Sequence, residues 1–144
     1  MRRSEFHVTG LLFAVLACFS LHQHAIAADA GRSIIPELQE RFGLSEGQVR
    51  FSLGALLVLA HERLPKSQFN ELSKSIPNAD YIMREVKIYG IVTRPLDDVE
   101  DYEAALASLG IGQPLASQFV PAVLEYLEAA GFHRERSMLA RVLD

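Results

Sequence analysis

The sequence predicts an all-α fold, a compact bundle of about six to seven short helices with a pseudo-twofold duplication of a helix–long helix–helix unit. Three observations predict it. Apolar residues recur at three- and four-residue intervals through most of the chain, the spacing that places them on one helix face. Glycine and proline interrupt that pattern where helices of ordinary length would end, and helix-start signals stand just ahead of the apolar runs. The third observation is internal: the two ends of the chain match one another, in pattern, at a shift of 67 residues.

Residues 1–27 read as a secretory signal rather than as part of the fold. Arg2 and Arg3 form its positive start, Val8 to Phe19 is a short apolar run, and Ala25-Ile26-Ala27 offers small residues at the cleavage positions. The run is shorter than the about 20 residues a spanning helix needs, so no membrane span is expected after cleavage. The expected location is periplasmic or secreted. Val15-Leu16-Ala17 before Cys18 loosely resembles a lipoprotein box, and a lipoprotein anchored through Cys18 is the alternative. Cleavage after Ala27 removes 27 of the 144 residues, among them Arg2, Arg3 and Glu5; from 14 basic and 18 acidic side chains it leaves 12 and 17, a net charge of −5, and no cysteine. Disulfides and thiolate chemistry are thereby excluded from the mature domain. No nucleic-acid partner is expected, because the domain is net acidic and the sequence shows no basic face that could release counterions.

Residues 34–144 are expected to form one helical domain behind a flexible start at 28–33. Ser33 can cap a first helix that carries Ile34, Ile35, Leu38 and Phe42 and stops at Gly43. Ser45-Glu46-Gly47-Gln48 is a capping-box pattern, a serine with glutamine three residues on. The helix it opens, about 46–63, is apolar all round from Leu53 to Ala60, which predicts a central helix covered on most sides. Pro65 begins a third helix with Phe69, Leu72 and Ile76, ended by Pro77. A fourth, over 78–89, uses Ile82, Val86 and Tyr89; the β-branched and aromatic run Val86 to Val92 leaves a short extended piece open. After the break at Thr93-Arg94-Pro95, the run Asp97 to Asp101 opens a helix through Tyr102, Leu106 and Leu109 to Gly110. Two more follow, about 113–130 with Leu115, Phe119, Val123, Tyr126 and Leu127, and about 133–143 beyond Gly131.

At the 67-residue shift, Phe42-Gly43-Leu44 lies over Leu109-Gly110-Ile111. Leu53, Leu56, Leu57 and Ala60 then lie over Val120, Val123, Leu124 and Leu127, and Leu72 and Ile76 over Leu139 and Leu143. The similar halves are about 34–77 and 101–144, with 78–100 a divergent middle. Gly54 falls on Pro121. Both weaken a helix interior, so both long helices are expected to bend or to be closely approached there. Gly54, Leu57, Phe119, Pro121, Leu124 and Tyr126 are accordingly the candidate groove and kink positions.

The succession Phe42-Gly43-Leu44-Ser45, Leu53-Gly54-Ala55-Leu56-Leu57, Leu64-Pro65 and Ser75-Ile76-Pro77-Asn78-Ala79-Asp80 resembles the VcgC/VcgE-type family. So does Leu109-Gly110-Ile111 followed by Gln118-Phe119-Val120-Pro121, the most specific piece. The resemblance runs from about Leu38 to Leu143. It implies a small exported bacterial protein made of helices, with no assigned activity and no functional residues to transfer. Residues 81–103 depart from the Gly/Ala-rich middle that the family implies, being charged and aromatic: Tyr81, Arg84, Lys87, Tyr89, Arg94 and Asp97.

Motifs of catalysis and metal binding are fragmentary. Gly43-Leu44-Ser45-Glu46-Gly47 has the spacing of a nucleophile elbow, but that device needs a strand before it and a sheet beneath it. A helix cap accounts for Ser45. His61-Glu62 begins a zinc-protease motif whose second histidine would fall at Pro65, and His133 is the one other histidine after Ala27. The acidic residues Asp97 to Asp101 and Glu103 lack the alternating ligands and central glycine of a calcium loop and suit a solvated helix start. Tyr81, Tyr89 and Tyr102 are candidates either for core packing or for an interaction surface.

The function expected is a non-catalytic binding module of the cell envelope, offering an apolar helical surface or groove to a protein partner or apolar ligand, without metal or cofactor. A binder of lipid or another apolar small ligand is one alternative. The other is a small hydrolase acting on an envelope polymer through carboxylates such as Glu46 or the Asp97 cluster.

Overall fold

The computed structural model describes residues 33–144. The expected signal at 1–27, Cys18, and all of the expected flexible start except Ser33 lie outside the described residues. Among the described residues there are seven helices and no strand: α1 (Ile34–Phe42), α2 (Glu46–Arg63), α3 (Lys66–Lys74), α4 (Ala79–Ile88), α5 (Val99–Ser108), α6 (Gln113–Ala129) and α7 (His133–Ala140). The first three run 9, 18 and 9 residues and the last three 10, 17 and 8.

Local chemistry sets most of these boundaries. The capping box forms in full: the Gln48 N–H donates to Ser45 Oγ at 3.2 Å, and the Ser45 N–H donates to Gln48 Oε1 at 3.1 Å. Gln48 also donates through Nε2 to the Leu109 carbonyl at 3.1 Å, tying the start of α2 to the end of α5. Asp98 caps α5 by accepting from the Asp101 N–H at 2.9 Å. Ser33 occupies the cap position of α1 but makes no side-chain bond there.

The stretch left open as helix or extended chain is a helix through Ile88 followed by an abrupt stop. Gly90 takes φ 70°, its N–H bonds to the Lys87 carbonyl, and the Ile91 N–H reaches back to the Val86 carbonyl. That pair of bonds is a Schellman closure, which needs a left-handed residue that glycine supplies without strain. Val92 then turns into the core rather than into a strand.

The core gathers around α2, in which every residue from Ser52 to Ala60 is buried. A helix greasy on all sides has to be enclosed, and here α4, α5, α1 and α3 all pack on it. Helix α6 lies against α7, α5 and α1, and α7 folds back onto α3.

Tyr102 of α5 is completely buried, and its hydroxyl has no hydrogen-bond partner. Burial holds its pKa well above the ordinary value of 10. Replacing it with phenylalanine removes an unsatisfied polar atom at nearly constant shape, and is expected to raise stability by about 1 kcal/mol. The pH dependence has a definite sign. In the unfolded chain Tyr102 releases its proton near its ordinary pKa while the folded chain keeps it, so this contribution is intact below about pH 10 and is lost as pH rises. Urea melts at neutral and alkaline pH check both points: Tyr102→Phe should gain at neutral pH and lose less than the parent above about pH 10. Equal alkaline losses in the two proteins would refute the assignment.

Candidate functional site

Helix α4 buries Ala79, Ile82, Glu85 and Val86 against the rest of the domain. The three- and four-residue spacing of those positions leaves the opposite side of the helix outward. Three large hydrophobic side chains are exposed among the described residues, and all belong to this helix or its last turn: Tyr81 at 54 %, Ile88 at 73 % and Tyr89 at 64 %. Tyr81 and Ile88 are seven positions apart and so lie in line. Scattered apolar surface residues are ordinary, but three on one helix form a patch of the kind that marks an interaction site.

The patch is braced from beneath by α2. The Tyr89 ring meets Phe51 with centroids 5.4 Å apart, and the Arg50 guanidinium lies over Phe51 at 5.7 Å. Arg50 Nε also makes an ion pair with the buried Glu85 at 2.8 Å, without the alignment of a hydrogen bond, and Nη1 of the same guanidinium reaches Glu46 at 3.3 Å. On the outer side, a hydrogen bond from the Tyr81 hydroxyl to Glu85 raises the tyrosine pKa, and the nearby carboxylate charge adds to the effect. Glu85 therefore sits between a cation and a phenol, which is how a carboxylate with little water contact is kept.

Gly54 sets the height of this arrangement. A Cβ at that position would stand 2.6 Å from Val86 Cγ1 and 2.9 Å from both Ile82 Cγ2 and the Ile82 carbonyl oxygen. The missing side chain is the space into which α4 presses.

The six candidate groove positions do not form one site. Gly54 and Leu57 are buried in α2. Phe119 is wholly buried in α6 and stacks on Phe42 of α1 at 5.9 Å. Tyr126 is buried beside it on the inner face, with its pKa raised by desolvation and then by Glu37. Pro121 is exposed and Leu124 half-buried; both line a shallow, open hollow with Arg136 of α7. Pro121 thus faces solvent, where water can satisfy the carbonyl it leaves unbonded.

The residues examined for chemistry are occupied by structural roles. Ser45 is a cap, with no strand before it. His61 packs edge-on against Phe69 at 4.9 Å, and His133 lies 3.0 Å from Glu128. Among the described residues no three histidines or carboxylates gather as they would around a metal ion. Asp101 accepts from the Asp97 N–H and pairs with Arg94; its pKa is lowered, first by that backbone bond, which is the wrong direction for a general acid. Of the three tyrosines, Tyr102 belongs to the core, and Tyr81 and Tyr89 to the exposed face. Ile88 and the Arg50–Glu85 pair were not singled out from the sequence. A helical wheel of 79–89 holds the signal for Ile88, which falls opposite Ile82 and Val86.

Fold and surface together define a class, an all-helical domain built on one enclosed helix, in which the large exposed hydrophobic side chains among the described residues gather on a single flanking helix. The chain belongs to the VcgC/VcgE family, described as protein of unknown function VcgC/VcgE (DUF2780), whose model matches residues 19–143. No curated protein and no solved structure matches it. No helix among the described residues is long and apolar enough to cross a membrane.

Proposed function

We propose that this protein is a non-catalytic binding module of the bacterial cell envelope, and that the outer face of α4 is its contact surface. The observation that carries this reading is the exposure of Tyr81, Ile88 and Tyr89 together on one helix. The bracing of Tyr89 and Tyr81 through Phe51, Arg50 and Glu85 supports it, because a contact surface held in place loses little freedom on binding. The export signal read from residues 1–27 supplies the compartment. The carboxylates of a hydrolytic reading have less support, since Glu46 is exposed and Asp101 is held in its ionised form.

The test is a photo-crosslinking amino acid placed at position 88 and, separately, at the exposed Glu100 of α5, in cells that express the protein. A discrete adduct to protein or lipid is expected from position 88 and not from position 100. Absence of an adduct at 88, or equal labelling from both positions, would remove the proposal.

A further inference from the structure

Among the described residues, lysines and arginines fall into two groups. Arg41, Arg50, Arg94, Arg134 and Arg136 each pair with a carboxylate, while Arg63 and Arg141 donate to the Asp97 carbonyl and to Gln68. The rest, Lys66, Lys74, Arg84 and Lys87, are exposed and have neither an ion pair nor a hydrogen bond, and all four lie on α3 and α4. Lys66, Arg84 and Lys87 line one open hollow, in which Asp80 is the only carboxylate. Arg84 and Lys87 also stand within one helical turn of Ile88.

Charge along the chain is divided in the same sense. Residues 66–94 carry five basic and three acidic side chains, one of the acids being Glu85, already held by Arg50. Residues 95–144 carry three basic and nine acidic ones. An anionic surface therefore attracts the unpaired cations of α3 and α4, which favours approach by that face.

We infer that the α3–α4 face docks on an anionic lipid surface, with Ile88 and Tyr81, in line on α4, entering the headgroup layer, and Lys66, Lys74, Arg84 and Lys87 meeting lipid phosphates. The inference rests on the reading of α4 as the contact surface and names what that surface meets. Charge complementarity is one argument. Shape is the other: Ile88, 73 % exposed, stands out from the helix, so it suits a soft interface that yields around it. An aliphatic tip flanked by tyrosines and cations is the composition of an interfacial anchor. An aliphatic tip has no use against a nucleic-acid backbone.

Co-flotation of the purified protein with phosphatidylcholine vesicles, and with equimolar phosphatidylcholine and phosphatidylglycerol, tests this. Binding is expected to the anionic vesicles alone, and it should weaken as salt is added. The double variant Arg84→Glu, Lys87→Glu should lower that binding by at least about tenfold, and Ile88→Ser should lower it severalfold at unchanged salt dependence. Both alter exposed positions, and an unchanged melting temperature confirms that they are folded. Equal binding to neutral vesicles, no binding to either, or anionic binding indifferent to both variants overturns the inference. So does self-association abolished by Ile88→Ser, or an RNA oligomer that binds better than the vesicles. A protein adduct from position 88 without vesicle binding overturns the lipid surface while leaving α4 as the contact face.

Discussion

Gly54→Ala is expected to destabilise this protein by about 1–3 kcal/mol, and Gly54→Val by about 3 kcal/mol or more. The sign is the informative part. Were Gly54 simply a weak point of α2, alanine would strengthen the helix by roughly 1 kcal/mol. Here the new methyl would stand 2.6 Å from Val86 Cγ1 and 2.9 Å from the Ile82 carbonyl oxygen. The isoleucine oxygen belongs to the backbone, so rotating a side chain cannot relieve the clash and α4 has to move as a body. In a domain of this size each kcal/mol lowers the melting temperature by roughly 4 °C. Thermal melts of the two variants check the order, and a melting temperature raised by alanine would show that the close approach does not limit packing. The aromatic circular dichroism should change as well, because displacing α4 disturbs the Phe51–Tyr89 contact.

Phe119→Ala is expected to cost about 3–5 kcal/mol, against the 5–15 kcal/mol that typical domains possess. Phe119 is completely buried and stacks on Phe42 at 5.9 Å with planes 25° apart. It therefore joins α6 to α1, and truncation leaves a cavity between the two helices. The exposed Arg41–Glu125 ion pair crosses the same seam but contributes little in water. Urea unfolding should show a much lower midpoint, and a loss below about 1 kcal/mol would mean that the site collapses around the gap. Leu124→Ala, at a half-buried position of the same helix, is the control and should cost less.

Much of the fold was legible along the chain, because the signals behind it are local. The Ser45–Gln48 box, Gly43, Pro65 and the acidic helix start at Asp97 to Asp101 act within a few residues of themselves. The enclosed position of α2 also followed from its sequence, since Leu53 to Ala60 leave no polar side for water. The extended alternative at 86–92 arose from weighing β-branched residues above Gly90, whose left-handed turn closes α4. The exposed apolar surface of α4 was harder to see. Tyr81 and Tyr89 drew notice, yet whether a helical tyrosine points inward depends on which neighbour claims that side of the helix, and Tyr102 went the other way. The cations on α3 and α4 are spread over 22 positions from Lys66 to Lys87 and form no run. They become a basic face only when the two helices fold together. Gly54 was marked as a place of bending or close approach; that the approaching element is α4 is a tertiary fact.

The notch at Gly54 also bears on how such a protein diverges. The pose of α4 depends on Ile82 and Val86 seating there, and none of the outward residues takes part in that seating. Substitution at positions 84, 87 and 88 is therefore expected to alter the chemistry of the outward surface while leaving the orientation of the helix untouched. Surface and pose are separable in this architecture, and a change in the one requires no redesign of the interior.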